Sequence, residues 1–168
     1  IADSLIQLLG PFRCDITVVR RRPVEMAGIN RVVGPAQLLE AVADADAVVL
    51  ALALVPETED LIDTEVLDAM RPDAWLVNVA RGAHVDTDAL VAALESGSIG
   101  GAALDVTEPE PLPDGHPLWQ LPNVIITPHT ANTREMAKPL LGARITDNVR
   151  RYVGGQPLIG LVDVQAGY

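Results

Sequence analysis

Cysteine and lysine are nearly missing from this chain: Cys14 is the one thiol and Lys138 the one lysine in 168 residues. A lone cysteine excludes an intrachain disulfide and any thiolate metal cluster, so no metal site is expected. Beside the apolar run at 16–19, Cys14 is expected to be a buried, inert thiol. No apolar run approaches the roughly 18 residues that span a bilayer. No basic segment marks the amino end, so neither a membrane partner nor a secretory signal is expected and the chain reads as cytoplasmic. Positive charge is scarce as well, with 12 Lys and Arg against 23 Asp and Glu and a net charge of -11. Phosphate backbones require a basic face, which excludes nucleic acid as a partner. The overall field also repels anions, so an anionic small molecule must be met by local cations. What the chain does have is apolar residues, 49% of the total, enough for one real core but not for two full domains.

The order of elements is regular. Leu5, Ile6, Leu8 and Leu9 form the apolar face of a short helix ended by Gly10-Pro11. The run 16–19 predicts a strand, 35–43 a helix, and 47–54 a strand without polar alternation. Asp63 or Thr64 can cap a helix over 65–70, and 74–79 is a strand. Asp86 caps a helix over 87–95 that closes at Ser96-Gly97. Two further strands, 99–104 and 124–127, precede a long helix from about 133 to 153. Continuously apolar strands alternating with helices predict an α/β fold, a doubly wound parallel sheet buried on both faces. A Pro-rich stretch at 108–122 replaces one crossover helix, and ordered loops of that length are usually functional.

In an open parallel sheet, ligands bind outside the carboxyl ends of the strands. Those ends deliver Arg20-Arg21-Arg22, then Pro56-Glu57-Thr58, then Asn78, Arg81 and Gly82. Asp105, Glu108 and Glu110 follow the fourth strand, and Pro128-His129-Thr130 the fifth. These ends thus bring ionisable groups to one edge, while the strand bodies are apolar. His84 and His116 are expected at the surface, and Trp75 and Trp119 in packing roles.

These same residues carry a family resemblance. Val77-Asn78-Val79-Ala80-Arg81-Gly82 followed by Val85-Asp86 resembles the Asn-x-Ala-Arg-Gly-x-x-Val-Asp signature of the D-2-hydroxyacid dehydrogenases. Ala102 through Val106 with Glu110-Pro111 and Leu118 resembles that family's Asp-Val loop, and Pro128-His129 its Pro-His. The similarity covers essentially the whole chain. It implies a Rossmann-type domain and reversible hydride transfer between NAD(P)H and a 2-keto acid or 2-hydroxy acid. His129 then matches the general acid/base, a task suited to imidazole. Glu110 matches the carboxylate that orients it. Arg81 matches the fork that holds the substrate carboxylate and keto oxygen. Formate dehydrogenases share the fold but carry Gln where Glu110 stands.

The resemblance also implies that Ala2, Arg20, Arg21, Pro56, Thr58, Val79, Ala80, Arg81, Asp105 and His129 line the cofactor. Residues 1–5 resemble the chain just after the first glycines of a Gly-x-Gly-x-x-Gly turn, with Ala2 in the third glycine's place. On that reading the first strand is lacking, 1–131 form an incomplete NAD(P)-binding domain, and 132–168 return to an absent substrate domain. Leu158, Ile159, Leu161 and Val162 would then miss their packing partner, and this chain alone would be inactive. Arg20 falls where NAD-specific relatives carry an acidic residue for the ribose 2′-hydroxyl. A guanidinium suits a 2′-phosphate instead, so NADP is expected over NAD. A homodimer is implied too. An alternative is a non-catalytic NAD(H)-binding protein similar to transcriptional corepressors that share the domain.

Overall fold

A computed structural model describes residues 1–164. They divide into two compact units, the first Ile1–Ile126 and the second beginning at Thr127.

In the first unit, helix α1 (Ala2–Leu9) runs into a 3-10 turn at Gly10–Phe12. Strands β1 (Thr17–Val19) and β2 (Arg31–Val33) pair in parallel as a two-stranded sheet. Helix α2 (Leu38–Ala43) leads to β3 (Ala47–Leu50), α3 (Thr64–Ala69) to β4 (Trp75–Asn78), and α4 (Thr87–Ser96) to β5 (Gly101–Leu104). With β6 (Val124–Ile126) these make a second sheet, order β3-β4-β5-β6, also parallel throughout. This is the expected α/β architecture of Rossmann type, with α2 beside α3 and α3 beside α4.

Local chemistry sets the helix ends. Asp63 accepts from the Val66 amide and Asp86 from the Ala89 amide, each satisfying a donor that the first turn would otherwise orphan. Gly97 closes α4 at φ 73, a left-handed cap that costs glycine little. The core gathers on β4 and β5. Leu76 and Ala102 are wholly buried and meet Leu67, Leu90 and Ile99 in one cluster. Gly101 lies flush against the Trp75 ring, so a side chain there would collide with it.

Several expectations are corrected. β2 was not anticipated, because Arg31-Val32-Val33 is too short a run to register. The run 47–54 is strand only to Leu50, since its pairing with β4 stops at Asn78, and Ala51–Val55 continues as loop. Burial on both faces holds for β5 but not for β3, where Val49 remains 38% exposed. Leu8 on α1 is exposed, and α1 has no fully buried residue. Cys14 is exposed, because it precedes β1 on an outer connection. His84 is fully buried rather than superficial. His116 is half-buried, and its Nδ1 accepts from the Leu118 amide. Trp119 stands 52% exposed, with its indole N–H donating to the Pro113 carbonyl.

In the second unit, α5 (Arg134–Val153) is capped by Thr133, which accepts from Met136. Asn148 holds Ile159 by both its donor and its acceptor, folding the following segment back along the helix. A shallow groove of about 350 Å³ lies there, lined by Ile145, Val149, Tyr152 and Leu158 among others. Leu161 and Val162 are exposed. No helix among the described residues is long and apolar enough to cross a membrane.

Candidate active site

The parallel register of β3, β4 and β5 brings their carboxyl ends to one edge, and three loops leave from it. The first folds as a 3-10 turn, Pro56–Thr58. The Thr58 hydroxyl closes it, accepting from the Val55 amide while facing the Ala53 and Val55 carbonyls. That hydroxyl is therefore committed to its own turn.

Asn78, at the end of β4, shapes the second loop. The residue is buried, at 1% exposure, and its side chain accepts from the Ala80 amide at 3.0 Å and donates to the Arg81 carbonyl at 2.8 Å. Its own carbonyl accepts from the Asp105 amide at 3.0 Å, which ties the third loop to the same residue. A buried amide with its polar atoms satisfied in this way rigidifies the backbone around it. Val79, Ala80 and Arg81 follow, and the exposed guanidinium of Arg81 donates to the Ala80 carbonyl at 2.6 Å.

The third loop begins with buried Asp105 and reaches exposed Glu110. Gly82 packs directly onto its backbone, where any Cβ would overlap the Thr107 carbonyl. Thr87 adds a bond to the Glu108 carbonyl at 2.7 Å. The expected residues Pro56, Thr58, Val79, Ala80, Arg81, Asp105 and Glu110 thus sit on three loops stitched together. Arg20 and Arg21 follow β1 on the two-stranded sheet and are exposed; Arg20 is fixed by its amide, which donates to the Val33 carbonyl at 3.0 Å. Ala2 opens α1. His129 belongs to the second unit, where it is exposed and adopts a left-handed backbone at φ 52. Such a conformation is uncommon outside glycine, and histidine is among the residues enriched there.

His84 is the residue that sequence reasoning misplaced. It ends the turn Gly82–His84 that follows Arg81, and its Nδ1 lies 2.8 Å from the Thr58 carbonyl. The available signal was its position inside the Arg81-to-Asp86 signature. Among the described residues no cluster of three or more His, Cys, Asp or Glu is arranged to hold a metal ion.

Known proteins resemble this chain in sequence and in fold. Glyoxylate/hydroxypyruvate reductase A of Serratia proteamaculans is 34% identical over 169 residues, 100% of this chain and 53% of that protein. A D-isomer specific 2-hydroxyacid dehydrogenase of Xanthobacter autotrophicus Py2, solved with NADPH and MES, superimposes with a TM-score of 0.91 at 38% identity, covering 99% of this chain and 68% of its own. The NADPH-dependent glyoxylate/hydroxypyruvate reductase of Sinorhizobium meliloti, solved with NADP and sulfate, gives 0.88 at 27% identity over 98% of this chain and 53% of its own. This chain spans about half the length of the curated relatives it matches. Residues 1–131 match the family model for the D-isomer specific 2-hydroxyacid dehydrogenase, NAD binding domain, and the chain belongs to that family.

Proposed function

We propose that this chain is the nucleotide-binding part of an NADPH-dependent reductase of small 2-keto acids, an oxidoreductase of the D-2-hydroxyacid dehydrogenase type. The observation that carries the reading is the loop edge itself. Pro56–Thr58, Val79-Ala80-Arg81 and Asp105 lie on loops locked to one another at the carboxyl ends of a parallel sheet, where such folds take their ligands. The donor set there fits a dinucleotide. Small residues at Val79 and Ala80 allow close approach, and Arg20, leaving β1, offers a guanidinium of the kind that binds a ribose 2′-phosphate. Thr58 contributes through the shape of its turn, since its hydroxyl is already engaged. Ala2 and Arg21 complete the proposed contacts.

Hydride to the carbonyl carbon is the chemistry a bound nicotinamide supplies. The chain's own groups do the rest. Arg81 forks onto the substrate carboxylate and keto oxygen, holding the carbonyl in place. His129 delivers the proton that the oxygen needs as the hydride arrives, and takes it back in the reverse direction. By the family resemblance, Glu110 is the carboxylate assigned to orient that imidazole. The names and ligands of the relatives above support NADPH and a glyoxylate- or hydroxypyruvate-like substrate. Homodimerisation and a cytoplasmic setting belong to the same proposal, with 1–131 as the nucleotide-binding domain and 132–168 returning to a substrate domain. The test is steady-state kinetics of the full-length protein on a panel of 2-keto acids with NADPH and NADH. Turnover with NADPH preferred is expected. Tight NAD(H) binding without turnover of any acid would overturn the enzyme reading in favour of a binding protein.

A further inference from the structure

His84 holds a position that the reductase reading does not use. Its ring is wholly buried, one strand-loop away from the proposed chemistry. A carbonyl oxygen only accepts, so the 2.8 Å contact with Thr58 requires that Nδ1 carry the hydrogen. The other ring nitrogen, Nε2, is also buried and has no hydrogen-bond partner among the described residues. The imidazole is therefore held in this place by one nitrogen. That is an unusual choice for a residue that merely fills space, because an apolar side chain would leave no buried nitrogen unsatisfied.

What the bond joins gives it meaning. On one side is Thr58, last residue of the turn leaving β3. On the other is the turn Gly82–His84, whose His84 amide donates back to the Arg81 carbonyl. The backbones of the two loops already pair farther on, where Asp60 donates to Ala83, Ile62 to His84 and Asp86 to Ile62. Those bonds fix 60–62 but leave the 56–58 turn held to the second loop by the imidazole.

We propose that His84 is a positioning residue that couples the cofactor-facing turn to Arg81, so that one hydrogen bond sets the spacing between the nucleotide and the bound acid. The inference rests on the reductase reading of Pro56–Thr58 and Arg81. It makes a distinction that packing alone does not. Asparagine places an N–H where Nδ1 stands, whereas glutamine places one nearer Nε2, the nitrogen without a partner. In the full-length protein, His84→Asn is expected to keep the NADPH dissociation constant and the KM for glyoxylate within about threefold of wild type. His84→Gln is expected to raise both by roughly tenfold, as small misplacements of positioning groups do. Nicotinamide fluorescence gives the first constant, initial rates give the second, and thermal melts report folding separately. If His84→Gln does not fold, His84→Met, of similar bulk and without a donor, takes its place in the comparison. Wild-type constants in both variants, or equal losses that follow the fall in melting temperature, overturn the proposal. A wild-type protein that neither binds NADPH nor reduces any keto acid overturns the reductase reading and this inference together.

Discussion

Gly82 has no side chain because the Thr107 carbonyl occupies the space one would need. Its neighbour Arg81 is aimed by that contact and by the buried Asn78 amide. Gly82→Ala must therefore push the second and third loops apart. We expect a loss of about 1–3 kcal/mol in unfolding free energy, measured by denaturant titration, with a kcat/KM that falls further than stability explains. Arg81→Lys keeps the charge and loses the planar fork, so the KM for the keto acid should rise steeply. His129→Gln should lower kcat by roughly 10²–10⁴. Equal kcat in that variant would remove His129 from the proton-transfer role. At this scale the sequence was readable wherever a side chain matched a signature, as for Arg81 and Asn78. It misplaced His84 at the surface because, although that histidine lies inside the signature, its neighbours Ala83 and Val85 carry no mark of its burial. Only the folded loops reveal that its partner is Thr58, 26 residues earlier.

Among the elements, the capped helices were the most legible. Asp86 makes the first-turn bond expected of it, Asp63 rather than Thr64 makes the one at α3, and Thr133 makes one at a start the sequence placed without naming its cap. Asp86→Ala should cost about 1 kcal/mol in a thermal or chemical melt. Leu76→Ala, in the wholly buried middle of β4, should cost about 2–5 kcal/mol. The strands were harder. β2 has three residues, and its existence depends on pairing with Thr17–Val19 rather than on any pattern of its own. The apolar stretch after Leu50 looks like strand but finds no continuing partner beyond Asn78. Pairing is a property of two segments, and single-segment periodicity does not contain it. The turn into β4 illustrates a weak electrostatic tie. The Arg71 guanidinium, bonded to both oxygens of Asp73, holds that carboxyl below its ordinary range, first by the hydrogen bond and also by its charge. Its contribution to stability is present above the ordinary carboxylate pKa and lost as pH falls through the lowered one. Both side chains are solvent-exposed, so Asp73→Asn should barely move the melting temperature at neutral pH.

For the molecule as a whole, the acidic balance and the arginines at the strand ends were visible at once, and the fold class followed from alternation of apolar strands with helices. The chain between β6 and α5 has no linker composition, and the two units part there at Ile126 and Thr127, whereas the family resemblance draws its boundary at 131 and 132. We expect the 168-residue chain by itself to give no keto-acid turnover, read as NADPH oxidation at saturating glyoxylate. Robust rates from it would place the whole acid-binding apparatus within these residues. Cys14 adds a consequence of a different kind. The sole thiol of the chain faces water, so covalent cross-linking has a valence of one. Mild oxidation can join two molecules tail-to-nothing and then must stop, giving a band at twice the chain mass on a non-reducing gel and no ladder above it. A maleimide dye should attach to the native protein in one-to-one stoichiometry, without first unfolding it.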